Sequence, residues 1–229
     1  MAQAIRTVLF DLDGTLLDTA PDMAAALNAV LTEEGFPQLP FEHIRNHVSH
    51  GSSALVELGF GREQAEADFL RRRQRFLDIY NENLHLDTEL FPGMASLLAY
   101  IERHGMNWGV VTNKPAFLTD PLMASLGLTP RAACIISGDT TDERKPHPKP
   151  MLHACELAGS SAGECLYVGD ASRDIEAGRR AGMATLVALY GYIDEFQKPE
   201  EWGADGMINE PREILDWLLE ADPQRAALS

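Results

Sequence analysis

Asp11 and Asp13, held in the pentapeptide Asp11-Leu12-Asp13-Gly14-Thr15, are the side chains best placed to do chemistry in this sequence. They directly follow the apolar run Ile5 to Phe10, which reads as a buried strand delivering carboxylates to its carboxyl edge. Gly14 permits a turn there, so one carboxylate can attack or bind while the other serves as acid and base. An ordinary Asp-Gly turn would also explain the pentapeptide taken alone. It has company, however. Trp108 to Val111 ends in Thr112-Asn113; Ala133 to Ile136 leads to a polar loop closing on Lys145-Pro146; Cys165 to Val168 ends in Gly169-Asp170, with Asp174 one helical turn on.

Elements that could gather these residues are visible between them. Met94, Leu97, Leu98 and Ile101 recur at helical spacing, as do Leu152 and Cys155. Strand and helix alternating in this way predict an α/β fold, a doubly wound parallel sheet covered on both faces. Right-handed crossovers then put every strand's carboxyl end on one rim. Asp11, Asp13, Thr112, Lys145, Asp170 and Asp174 would meet there. From about Asp18 to Asp87 the rhythm breaks into helical patterns only. Met23, Leu27, Val30 and Leu31 share one face, and Phe69, Phe76, Leu77, Tyr80 and Leu84 another. Thr19 is expected to cap the first of these helices.

In their order and types the four strand-end motifs resemble those of the haloacid dehalogenase superfamily, the aspartate-nucleophile phosphatases. The resemblance spans nearly the whole chain. It implies a Rossmann-like core over 1–17 and 89–229 and a small inserted helical cap over 18–88, with hinges near Leu16 to Thr19 and Leu86 to Gly93. It also implies Mg²⁺, with Asp11 and Asp170 as side-chain ligands and Asp13 contributing its backbone carbonyl. Such a hard cation prefers oxygen donors and commonly binds one or two carboxylates together with phosphate. Asp11 would form an aspartyl-phosphate, Asp13 would shuttle the proton, and Lys145 would offset negative charge. Thr112 and the Asn113 amide would hold phosphate oxygens, with Asp174 orienting Lys145. In the cap loop, Arg45, His50 and Ser52 are expected to contact the substrate, although a solvated connector would look the same.

Within the superfamily, Val110-Val111-Thr112-Asn113-Lys114-Pro115 and Tyr190-Gly191-Tyr192 are similar to the phosphoglycolate phosphatase branch. Trp202-Gly203-Ala204-Asp205 also resembles the N-acetylmuramate 6-phosphate phosphatases. The resemblance implies a Mg²⁺-dependent phosphomonoesterase of the phosphoglycolate phosphatase type acting on a small organic phosphate, with an N-acetylmuramate 6-phosphate (sugar-phosphate) phosphatase or a phosphosugar mutase as alternatives. A receiver module is disfavoured, because its acceptor aspartate ends the third strand.

Composition agrees. At 229 residues, 45% of them hydrophobic, the chain can bury a main domain and a cap. A net charge of −16 argues against nucleic-acid or anionic-membrane partners. Cys134, Cys155 and Cys165 show no paired spacing, and the seven histidines no metal-ligand spacing. With no signal-like or membrane-length segment, the expectation is a cytoplasmic monomer or homodimer. The tail from Asp222 is expected to fray.

Overall fold

A computed structural model of the protein describes residues 4–221; the tail from Asp222 lies outside them. The chain opens with β1 (Thr7–Phe10) and β2 (Leu17–Asp18), then runs through α1 (Ala20–Glu33), α2 (Phe41–Arg45), α3 (Gly51–Phe60) and α4 (Glu66–Glu82). It returns through β3 (Glu89–Leu90), α5 (Met94–Arg103), β4 (Asn107–Val111), α6 (Ala116–Ser125), β5 (Cys134–Ile136) and α7 (Lys149–Ala158). After these come β6 (Cys165–Gly169), α8 (Ser172–Ala181), β7 (Ala184–Ala188), β8 (Gly206–Ile208) and α9 (Ile214–Ala221).

Six parallel strands form the main sheet in the order β5-β4-β1-β6-β7-β8. The chain winds outward from β1 through β4 and β5, then crosses to the other side at β6. The carboxyl ends of β1 and β6 therefore flank a topological switch point, the usual site of chemistry in open α/β sheets. Phe10 is in register with both Val110 and Val168, so the residues just beyond all three strands emerge side by side.

Alternation of side chains sends the strands' apolar residues to two faces. Val8, Phe10, Trp108, Val110, Leu166 and Val168 pack on one face. Leu9, Val111, Cys165 and Tyr167 pack on the other, against Met151, Ala154 and Ala177 from α7 and α8. Each such large apolar side chain contributes about 1.5–3 kcal/mol on full burial. Cys134, Cys155 and Cys165 are buried free thiols in this second layer.

The segment between β2 and β3 is helical. Met23, Leu27, Val30 and Leu31 of α1 are buried, as are Phe76, Leu77 and Tyr80 of α4. Its two junctions with the sheet are paired: Leu17 with Leu90 and Asp18 with Glu89, as an antiparallel ribbon. Buried Asp22 reinforces the return. Its carboxylate accepts from the Leu86, Asp87 and Thr88 N–H groups and from the Thr88 hydroxyl. Thr19 corrects an expectation. It precedes α1 but makes no side-chain cap bond, because its hydroxyl donates to Asp13 Oδ1 at 2.7 Å. Among the described residues no helix is long and apolar enough to cross a membrane.

Candidate active site

Asp11 is the first residue beyond β1, and its N–H donates to Val168 O of β6 at 2.9 Å, extending the ladder by one step. Its Oδ1 accepts from the Leu12 N–H at 2.8 Å and lies 2.9 Å from Lys145 Nζ. Lys145 is only 2% exposed, and a charge so buried is tolerable only when fully partnered. Besides Asp11, its ammonium meets Asp174 Oδ1 at 2.8 Å and donates to the Tyr167 hydroxyl at 2.8 Å, which donates in turn to Val111 O. The Asn113 amide holds the Lys145 backbone from both sides: its Oδ1 accepts from the Lys145 N–H at 3.0 Å, and its Nδ2 donates to Lys145 O at 2.9 Å. Burial opposes ionisation of Asp11, but Lys145 and Arg173 outweigh it and hold the carboxyl below its usual range.

Asp170, one residue past β6, is in the opposite situation. Its Oδ2 accepts from the Ser49 hydroxyl at 2.7 Å and the Tyr192 N–H at 2.8 Å. Its Oδ1 is buried and accepts nothing. Burial, and after it the charges of Asp11 and Asp174, push this carboxyl up to about 7. Burial followed by Asp11 also raises Asp174. One carboxylate oxygen from each of Asp11, Asp170 and Asp174 lies within 4.8 Å of the others. Hard oxygen donors, an orphaned buried oxygen and uncompensated negative charge together fit a divalent cation of the Mg²⁺ kind. Gly14, at φ +82°, is required here, because a Cβ would run into the Asp170 carboxylate.

The Asp13 carboxylate stands apart from that cluster. Its Oδ1 accepts from Thr19 and, at 2.8 Å, from Lys114 Nζ, which also donates to the Tyr80 hydroxyl at 2.8 Å. Burial works against the Lys114 ammonium, yet Asp13 and Tyr80 hold it protonated more firmly than an ordinary lysine. Burial raises Tyr80 to about 12, so its hydroxyl keeps its proton.

A cavity of about 420 Å³ opens over this rim. Asp11, Asp13, Thr112, Asn113 and Lys114 line its sheet side, while His50, Ser52, Arg73, Phe76 and Tyr80 line its helical side. The Thr112 hydroxyl accepts from the Lys114 N–H at 3.1 Å. Of the three expected cap contacts, His50 and Ser52 reach the cavity. Burial and nearby Arg173 lower the His50 pKa and favour the neutral ring. Arg45 does not line the cavity. It donates to Gly191 O and Tyr190 O at 3.1 and 3.2 Å and lies over the Tyr192 ring, tying α2 to the sheet domain.

The model of the haloacid dehalogenase-like hydrolases matches residues 8–188. This chain belongs to that family. It is 43% identical over 218 residues to the N-acetylmuramic acid 6-phosphate phosphatase of Pseudomonas putida, covering 94% of this chain and 98% of the relative. It is likewise 43% identical over 225 residues to a phosphoglycolate phosphatase of Xanthomonas campestris, covering 96% and 98%. Among solved structures, a Haemophilus somnus protein described as a predicted phosphoglycolate phosphatase superposes with a TM-score of 0.83 at 28% identity, covering 93% of this chain and 97% of that one.

Several polar residues of this hydrolase's site escape a reading of its motifs. Ser49 lies between expected contacts, yet its hydroxyl bonds Asp170 while its carbonyl accepts from Arg173 at 2.6 Å. Tyr192 joins three parts of the chain: its N–H bonds Asp170, its hydroxyl donates to Asp18 at 2.7 Å, and the same oxygen accepts from the Ala20 N–H. The Tyr190-Gly191-Tyr192 run, noted only as a family likeness, was the available signal for this loop. Lys114 had the same signal in the run after Thr112.

Proposed function

We propose that this hydrolase is a Mg²⁺-dependent phosphomonoesterase of the phosphoglycolate phosphatase type, acting on a small organic phosphate through Asp11. The observation that supports it most is the division of labour between two neighbouring carboxylates. Asp11 is kept ionised by Lys145, whereas Asp13 is held by a separate lysine, Lys114, and lines the same cavity. The two carboxylates therefore reach one cavity on separate partners, which leaves each free for its own task.

Asp11, Asp170 and the Asp13 backbone carbonyl would hold the cation, with Asp174 keeping Lys145 in place. The bound cation supplies charge neutralisation for a dianionic ester approached by an anionic nucleophile. An Asp11 oxygen bonds to phosphorus as the ester P–O bond breaks, and Asp13, entering this step with the proton it takes from water in the preceding turnover, gives that proton to the departing oxygen. Asp13 then takes a proton from water, whose oxygen bonds to phosphorus as the acyl-phosphate P–O bond breaks. Thr112, the Asn113 N–H and Lys145 face the phosphoryl oxygens throughout. The helical segment 18–88 acts as a cap that covers the cavity and meets the organic half of the substrate.

One observation favours a second reading of the substrate. A two-carbon acid would leave most of the 420 Å³ cavity to water, whereas cavities of roughly 300–1,000 Å³ enclose whole drug-sized ligands. N-acetylmuramate 6-phosphate suits that volume. A kcat/KM panel of 2-phosphoglycolate, N-acetylmuramate 6-phosphate, other sugar phosphates and nucleotides tests both readings. Turnover of none of them overturns the phosphatase assignment, and a long-lived phospho-enzyme activated by a bisphosphate would indicate a mutase.

A further inference from the structure

The sequence Arg71-Arg72-Arg73-Gln74-Arg75 on α4 puts four arginines within five residues. Three of them pair with acids of the neighbouring α1 and its C-terminal end. Arg71 and Arg72 bond Glu34, at 2.5 and 2.8 Å, and Arg75 bonds Glu33 at 2.7 Å. Arg73 does not. Its Nε donates to the Ser52 hydroxyl at 3.1 Å, which among the described residues is its one polar partner, and its side chain lines the cavity. A half-buried guanidinium that faces a cavity and has no carboxylate partner of its own is suited to an anion, because planar bidentate recognition of carboxylates is what arginine does best.

Other cavity cations are committed or belong to the reacting end. Lys114 is paired with Asp13, and Arg173 bonds Ser49 O beside the Asp11–Asp170–Asp174 cluster. Arg144 is exposed and adjoins Lys145 in the chain. Arg73 lies elsewhere. Arg73, Phe76, Leu77 and Tyr80 all line the cavity, the spacing that puts residues on one helical face. Tyr80 marks the reacting end, since its hydroxyl holds Lys114 and through it Asp13. Seven residues at a 1.5 Å rise set Arg73 about 10 Å further along the cavity wall. Phe76 and Leu77 come between them, and Met23 and Leu118 also line the cavity.

We infer that Arg73, with Ser52, binds the carboxylate of a phosphorylated sugar acid whose phosphate and carboxylate stand at opposite ends of a ring. The apolar residues between cover the ring and its uncharged substituents. This rests on the phosphatase reading and sharpens it. A two-carbon acid cannot reach both ends at once, whereas an N-acylated amino-sugar phosphate carrying a lactyl ether can.

The test compares N-acetylmuramate 6-phosphate with N-acetylglucosamine 6-phosphate, which differ only in the carboxylate-bearing lactyl group. Wild-type enzyme is expected to prefer the acid by about 10- to 100-fold in kcat/KM, the range for a charged hydrogen-bonded pair. Arg73→Gln should collapse that ratio towards unity, mainly through KM for the acid, and Arg73→Lys should restore part of it. An equal ratio in wild type and Arg73→Gln overturns the assignment. So does a wild-type enzyme that turns over 2-phosphoglycolate better than the sugar acid, a result that leaves the phosphatase reading standing. Should Arg73→Gln fail to fold, the wild-type ratio and Arg73→Lys decide. A wild-type enzyme with no activity on any of these esters, p-nitrophenyl phosphate included, would instead refute the phosphatase reading itself.

Discussion

On the sheet side of the cavity and in the buried layer beneath it, charges meet charges: Asp11 with Lys145, Asp174 with Lys145, Asp13 with Lys114. Along the helical wall, Arg73 meets only a hydroxyl, and Phe76 and Leu77, one turn on, are apolar. Beneath the sheet side, Asp170 Oδ1 is a buried acceptor without a partner; on the helical wall, Arg73 is a donor without an acid. The difference teaches where each job is done. Strand ends in a close-packed sheet can fix groups tightly enough for bond making, while a helix face across the gap is free to vary what it recognises.

The largest expected effect breaks the sheet wall. Asp11→Asn should lower kcat by about 10⁴-fold or more, as removing a nucleophile does elsewhere. Steady-state kinetics on any accepted ester checks this, and EDTA should silence the wild type reversibly on Mg²⁺ addition. Asp13→Asn comes next, with a loss of about 10²–10⁴-fold, the usual contribution of a positioned acid and base. Pre-steady-state measurement should show both half-reactions slowed, and an unchanged rate would remove its role.

A smaller effect concerns the tie between the two walls. Asp22→Ala strips acceptors from three backbone N–H groups at the return to the sheet and should cost about 2–3 kcal/mol in urea unfolding. The smallest effect is on pH. Asp170 is raised to about 7 from an ordinary carboxyl value, so the folded protein holds a proton there that the unfolded chain releases. Its stabilising share is complete at acid pH and lost as pH rises through 7. Metal-free protein should therefore melt a few degrees lower at pH 8 than at pH 6, and added Mg²⁺ should narrow the gap. Asp170→Asn should flatten that slope.

Much of the sheet wall was legible because strand ends announce themselves: an apolar run stops and a reactive residue follows, as at Asp11, Thr112 and Asp170. β7 and β8 were not, since short runs such as Ala184–Ala188 and Gly206–Ile208 carry no chemistry and look alike in several folds. The β2–β3 ribbon pairs residues far apart in sequence through only two positions on each strand. On the helical wall, Arg73 is hidden among arginines that really are a solvated, ion-paired face. Lys114 is hidden for a similar reason. Most lysines are exposed, and its partner Tyr80 lies 34 residues earlier.

The most direct test of the central claim is to quench Asp13→Asn with acid during turnover of a phosphate ester and map the phosphorylated peptide by mass spectrometry. The phosphoryl group should be found on Asp11, and Asp11→Asn/Asp13→Asn should carry none. A phosphoryl group on another residue, or turnover by the double variant, would contradict the role given to Asp11.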